Sequence, residues 1–121
     1  MKKAIVLDFY EHVVNRRDFA GASKHLGATY IQHRADAEDG SGGLQRFIDR
    51  MRGQFPGSHC EVLRTFCDGD FVILHAHVRL EPGARGSKHV DIFRMDRDKV
   101  VEHWDVDQPI PEHFVNPNGP F

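Results

Sequence analysis

Asp91-Ile-Phe-Arg-Met-Asp-Arg-Asp-Lys-Val-Val-Glu-His-Trp-Asp-Val-Asp-Gln108 is the stretch whose reading decides the fold. Val90, Ile92, Phe93 and Met95 precede a polar turn, and Val100, Val101, Trp104 and Val106 follow it. β-Branched and aromatic residues on both sides of such a turn predict two half-buried strands. Acids and a histidine interrupt them: Asp91 lies between Val90 and Ile92, and His103 and Asp105 flank the only tryptophan. Side chains alternate across a strand, so His89, Asp91, Phe93 and Met95 share one face, and Val101, His103, Asp105 and Asp107 share another. Loop length decides whether those faces coincide, because a slip of one residue reverses every side chain. A two-residue loop, Arg97-Asp98, pairs Asp96 with Lys99 and puts Asp91 opposite Trp104. A three-residue loop, Asp96-Arg97-Asp98, pairs Met95 with Lys99 and gathers Asp91, His103 and Asp105 on one side. The three-residue form is expected, with Asp98 in the left-handed conformation that Asp tolerates.

Working outward, the strand period extends back to His59. Cys60–Cys67 and Phe71–Leu80 read as strands, with a turn at Asp68-Gly69-Asp70 and a Pro/Gly turn over Glu81–Gly86. Upstream the period is helical. Lys3–Arg16 carries the stripe Val6, Leu7, Tyr10, Val13, Val14. Asp18 is placed to cap a second helix running to about Leu26, with Gly27 as its stop. Thr29–His33 is a short strand and Ala35–Gly43 a loop. Leu44–Gln54 is a helix with Leu44, Phe47, Ile48 and Met51 on one face. Prolines rule out a strand or long helix in the tail, 109–121, which is expected to lie across the body or reach a partner subunit. Helical pieces followed by long strands imply an α+β fold with helices on one face of a curved sheet. The 121 residues fit one domain.

Composition excludes several classes. A formal net charge of −2 leaves no basic excess for a phosphate backbone, so no nucleic-acid partner is expected. No apolar run reaches the roughly 20 residues of a membrane span, and the opening residues carry no cleavage-site pattern, so neither a membrane partner nor a signal peptide is expected. Cys60 and Cys67, seven apart in one strand, are read as pointing to opposite faces and unable to pair, which fits a reducing, cytoplasmic compartment.

Four motifs, in this order of elements, carry a resemblance: Tyr30-Ile31-Gln32-His33, Gly69-Asp70, Asp91-Ile92-Phe93-Arg94 and Glu102-His103-Trp104-Asp105-Val106. They resemble the SnoaL-like polyketide cyclases, in the branch of predicted aldol-condensation enzymes within the nuclear transport factor 2-like superfamily. The resemblance implies a cone: a strongly bent antiparallel sheet packed against N-terminal helices, a cystatin-like roll with an internal pocket. It also implies a homodimer through the outer face of the sheet and no cofactor. By the same resemblance Asp105 is the acid/base, Asp91 or His89 its polar partner on the preceding strand, and His33 part of the pocket wall. Arg34-Ala35 stands where that branch carries Asn-Pro.

Such a site suits removal of a proton next to a carbonyl. A carboxylate in a dry pocket acts as base, and an imidazole donates to the developing enolate oxygen. Asp105, His103, Asp91 and His33 are the candidate catalytic residues, and Tyr30, His75, His77, His89, Phe93 and Trp104 the candidate substrate contacts. Aldol cyclisation, isomerisation and dehydration of a small apolar carbonyl compound share that first step. A binding protein that keeps the pocket without the chemistry is the alternative. For Asp91 and Asp105 the competing reading is a solvated strand edge or a salt bridge to Arg79 or Arg94. His75 and His77 either face the ligand or line a polar exterior at a subunit seam, and Trp104 is equally readable as packing. His33, His75, His77, His103, Asp91 and Asp105 offer a His/carboxylate set, but without helical His spacing or a Cys cluster no metal is expected. His12, His25, His59 and His113 are read as surface residues.

Overall fold

The structure, a computed structural model, describes residues 1–121. Helices α1 (Lys2–Val14) and α2 (Phe19–Ser23) lead into strand β1 (Leu26–Gln32) and helix α3 (Gly40–Gln54). Strands β2 (His59–Asp68), β3 (Phe71–Arg79), β4 (Ser87–Asp96) and β5 (Lys99–Pro109) follow. One sheet forms in the order β1-β5-β4-β3-β2, with β1 parallel to β5 and the other pairs antiparallel. This is the expected α+β architecture, a curved open sheet against N-terminal helices. No helix is long and apolar enough to cross a membrane.

The core sits between the helices and the inner face of the sheet. Val72, Leu74 and Ala76 of β3, Phe93 and Met95 of β4 and Val100 of β5 are buried there. From α1 they meet Val6, Phe9, Tyr10 and Val13, the i, i+3, i+4, i+7 stripe of a helix that faces a single surface. The sequence stripe was rotated by comparison: Phe9 replaces Leu7, which stays 36% exposed. Phe9 meets Phe93 edge-on at 5.9 Å and Tyr10 meets it at 6.0 Å. These aromatic contacts fix the rotation of α1 over the sheet.

Bulges bend the strands. The β4–β5 turn corrects the expected one: Asp96 pairs with Lys99 across a two-residue loop, and Arg97, not Asp98, takes the left-handed conformation with φ 57°. A bulge follows at once, because Met95 pairs with Val100 while Arg94 pairs with Glu102. The extra residue, Val101, restores what the short loop would have reversed, and Asp91 ends opposite Asp105. In β2 the register shifts between Val62 and Arg64. That shift corrects the reading of the cysteines: Cys60 opposes Val78 and Cys67 opposes Val72, so both lie on one face, at opposite ends of the strand. Both thiols are free.

Three further boundaries differ from the sequence reading. α2 ends at Ser23, and Leu26 pairs with Val100 as the start of β1, so the parallel ladder claims residues that looked helical. α3 begins at Gly40, inside the stretch read as loop. Gly43 explains the glycine there, since a Cβ would fall 2.0 Å from the Glu38 carbonyl oxygen. His12 is buried, not on the surface, with Nδ1 3.2 Å from Asp18 and Nε2 3.6 Å from Asp8 where α2 folds back on α1. The tail lies across the body. The Ile110 amide donates to the Gly86 carbonyl at 3.0 Å, and Phe121 packs on the His75 and His77 rings.

Candidate active site

Asp91 of β4 faces Asp105 of β5, and Phe93 faces His103, all on the inner face. Asp91 is 3% exposed and His103 6%. The Tyr10 hydroxyl donates to Asp91 Oδ2 at 2.8 Å, and His103 Nε2 lies 2.8 Å from Asp91 Oδ1. His103 Nδ1 lies 2.7 Å from Gln32 Oε1, which also receives the backbone N–H groups of His33 and Arg34 at 3.1 Å each. An oxygen taking two backbone donors is an acceptor, so His103 Nδ1 carries a proton and donates it. That leaves Nε2 as the ring nitrogen that faces Asp91 Oδ1.

Asp105 Oδ2 accepts from Arg34 Nη1 at 2.8 Å, and no protein group bonds Oδ1. Burial works against the Arg34 charge. The hydrogen bond and charge of Asp105, with Asp36, more than offset it, and the pKa of Arg34 rises. Arg34 and Arg50 lie over Phe47 of α3, at 5.8 and 5.3 Å from the ring centre. The Tyr30 hydroxyl takes a long contact from Gln32 Nε2 at 3.5 Å, and its own proton has no protein acceptor. Burial raises the pKa of Tyr30, and raises that of Tyr10 well above its ordinary value with help from the Asp91 charge. Burial also pushes the Cys60 thiol, 3.5 Å from the Tyr10 hydroxyl, up to about 12.

These groups line a cavity of about 530 Å³ between the inner face of the sheet and helices α1 and α3. Its apolar wall includes Phe9, Val13, Leu44, Phe47 and Leu80. Of the sequence-derived candidates, Asp91, His103, Asp105, Tyr30, His89 and Phe93 line it, with His89 Nε2 3.5 Å from Asp107. The other four are corrected, because strand alternation puts them on the outer face. His33 bonds Glu102 at 2.7 Å and stacks on Trp104 at 4.8 Å, so neither reaches the pocket. His75 lies against Arg64, and His77 holds the Arg85 carbonyl. The six-residue His/carboxylate set therefore does not assemble. Asp91, His103 and Asp105 alone keep one ligand atom each within 4.8 Å of the others. The Arg34 guanidinium already stands on Asp105, where a cation would sit.

Tyr10, Gln32 and Arg34 were not among the sequence candidates. Gln32 was legible, because alternation puts Tyr30 and Gln32 on one face and His33 on the other. Tyr10 read as one more apolar residue of the α1 stripe. Arg34 carried no signal except its departure from the Asn-Pro pattern, and its work on Asp105 supplies a reason for that departure.

A bent sheet closed by helices over an apolar hollow, with a few convergent polar groups, has the form of a ligand pocket. Residues 6–103 match the SnoaL-like domain, and the chain belongs to the SnoaL-like family. No curated protein matches the sequence. A candidate polyketide cyclase from Acidithiobacillus ferrooxidans is similar in structure, with 17% identity, a TM-score of 0.73 and coverage of 88% of this chain and 87% of that one. AclR, a candidate hydroxylase from Streptomyces galilaeus, is 26% identical with a TM-score of 0.68, covering 88% and 77%. A cystatin-fold protein from Novosphingobium aromaticivorans reaches a TM-score of 0.74 at 14% identity, covering 87% and 97%.

Proposed function

We propose that this protein removes a proton next to the carbonyl of a small apolar compound, using acid/base groups and no cofactor. One observation carries the reading: Asp91, His103 and Asp105 converge within 4.8 Å in the wall of an apolar cavity. Asp105 is the base, since Oδ1 is its free oxygen and Arg34 fixes the other. Tyr30 donates to the developing enolate oxygen, its proton having no competing acceptor. Gln32 and Asp91 fix the His103 ring from both sides, Tyr10 holds the other Asp91 oxygen, and the proton taken by Asp105 is the one returned. Aldol cyclisation, isomerisation and dehydration all begin this way. The candidate polyketide cyclase among the similar structures fits the first of these. Two copies would associate through the outer face, where Phe66 and Val106 are 54% and 68% exposed.

The shared first step supplies the test. Exchange of α-protons for deuterium in apolar ketones such as 2-tetralone, followed by NMR, reads proton removal without knowledge of the product. The wild type is expected to catalyse exchange, and Asp105→Asn to slow it by about 10²–10⁴-fold with ligand affinity retained. A wild type that binds the ketones and exchanges nothing supports the second reading, a non-catalytic binding protein. One feature favours that reading: each oxygen of Asp91 and each ring nitrogen of His103 already has a protein partner.

A further inference from the structure

Beside the mouth of the cavity lies a second, more open hollow of about 550 Å³, which shares His59 and Ala84 with the cavity wall. Arg79 and Arg85 line it, with one acid, Glu81. Each arginine spends its Nε on a backbone carbonyl, Arg79 on Ala84 at 3.0 Å and Arg85 on Ile110 at 3.4 Å. Neither forms an ion pair or gives a terminal nitrogen to a protein acceptor, whereas Arg34, Arg46, Arg50 and Arg94 are all paired with acids. Arg79 and Arg85 against Glu81 leave the hollow an excess of one formal positive charge.

The loop that carries these groups is built. Gly86 has φ 77°, and a Cβ there would fall 2.1 Å from the Val78 carbonyl oxygen, so no other residue fits. The Ala84 amide donates to Glu81, His77 Nε2 donates to the Arg85 carbonyl at 2.7 Å, and the Ile110 amide closes on Gly86. This gives His77, outside the pocket, a positioning task at its rim. Guanidinium groups oriented through Nε present their terminal N–H pairs as a fork that matches an oxyanion.

We infer that the hollow is an oxyanion subsite, and that the ligand of the cavity is bipartite: an apolar carbonyl-bearing part inside and a carboxylate, sulfonate or phosphate at the rim. The inference rests on the proposed pocket function for the inner part alone.

A matched pair of fluorescent probes tests it: N-phenyl-1-naphthylamine, uncharged, and 1-anilinonaphthalene-8-sulfonate, the same skeleton with an anion. Both should bind the wild type, the sulfonate more tightly by on the order of fivefold at low salt. Arg79→Gln/Arg85→Gln should bring the ratio to about one with affinity for the uncharged probe unchanged, and Arg16→Gln, exposed just beyond the end of α1, should leave it alone. Equal binding of the two probes by the wild type overturns the subsite, as does a preference that survives the double variant or falls equally in the Arg16 control. If the uncharged probe does not bind at all, the pocket itself is misread, and the two failures are told apart.

Discussion

Two histidine–carboxylate pairs sit on opposite faces of the same sheet and differ in almost nothing but water. His103 meets Asp91 at 2.8 Å, and His33 meets Glu102 at 2.7 Å. The inner side chains are 8% and 4% exposed, the outer ones 42% and 14%. Distance does not separate the pairs; access does. The outer pair is solvated, and Arg94 shares its carboxylate. The inner pair has surrendered its hydration and depends on Tyr10 and Gln32 for every remaining bond. An isolated histidine and acid become a candidate site only where burial leaves them no alternative partner.

The largest expected effect comes from removing the carboxylate of each pair in turn. Asp91→Ala leaves the buried Tyr10 hydroxyl and His103 ring without their shared partner and should cost about 3–5 kcal/mol of stability. Glu102→Ala lets water take over and should move the urea midpoint little. Equal losses in the two variants would erase the distinction drawn between the faces. The cysteines repeat the contrast. Burial lifts Cys60 from an ordinary 9.0 to about 12, a difference of three, so its thiolate should be about a thousandfold scarcer than that of an ordinary thiol. Exposed Cys67 should take up iodoacetamide in the native protein, and Cys60 only after denaturant is added. Intact and peptide mass spectra count and locate the adducts.

The pH dependence of stability sharpens the same comparison more gently. Cys60 and Tyr10 have raised pKa values in the fold, so their stabilising contribution is complete below pH 9 and declines as pH climbs from 9 toward 12. Glu102 behaves oppositely. His33 first, then Arg94, lower its pKa, so its contribution is present above 4.5 and fades as pH falls below that value. The alkaline decline should be the steeper, and Cys60→Ala should shallow it in urea titrations between pH 8 and 11. An alkaline slope indifferent to Cys60 would mean that water reaches the thiol.

Much of this was legible in the sequence, for reasons that can be named. Periodicity found the strands and most of the helices, because burying one face is what folds them. Alternation along the last two strands brought Asp91, His103 and Asp105 together, although the turn itself was misread. A three-residue loop and a two-residue loop followed by a bulge both put the acids on one face. The hydrophobic demand to bury Met95 and Val100 fixes that face, and local turn chemistry has only to comply. What stayed hidden was long-range. Nothing local in Leu26 announces Val100, 74 residues on, as a parallel partner, and nothing in Tyr10 distinguishes a core aromatic from one whose hydroxyl caps Asp91. His33 shows the hazard of reading a motif without its geometry, since it is Gln32, one position earlier, that faces inward.

The smallest expected effect is a null one, and it is diagnostic because the chain has one tryptophan. Trp104 lies on the outer face, stacked on His33 with the two rings within 4° of parallel and near Phe71 at 6.2 Å. A ligand seated against Asp105 and Tyr30 is on the other side of the sheet from that indole. Filling the cavity with an uncharged ketone should therefore leave Trp104 emission nearly unchanged. Association of two copies through the outer face should shift it, because the stacked pair would lose water. Emission followed against ketone concentration at fixed protein, and then against protein concentration without ketone, separates the two events. Strong quenching by ketone in dilute protein would place the ligand on the outer face, and the inner cavity would lose its standing as the site.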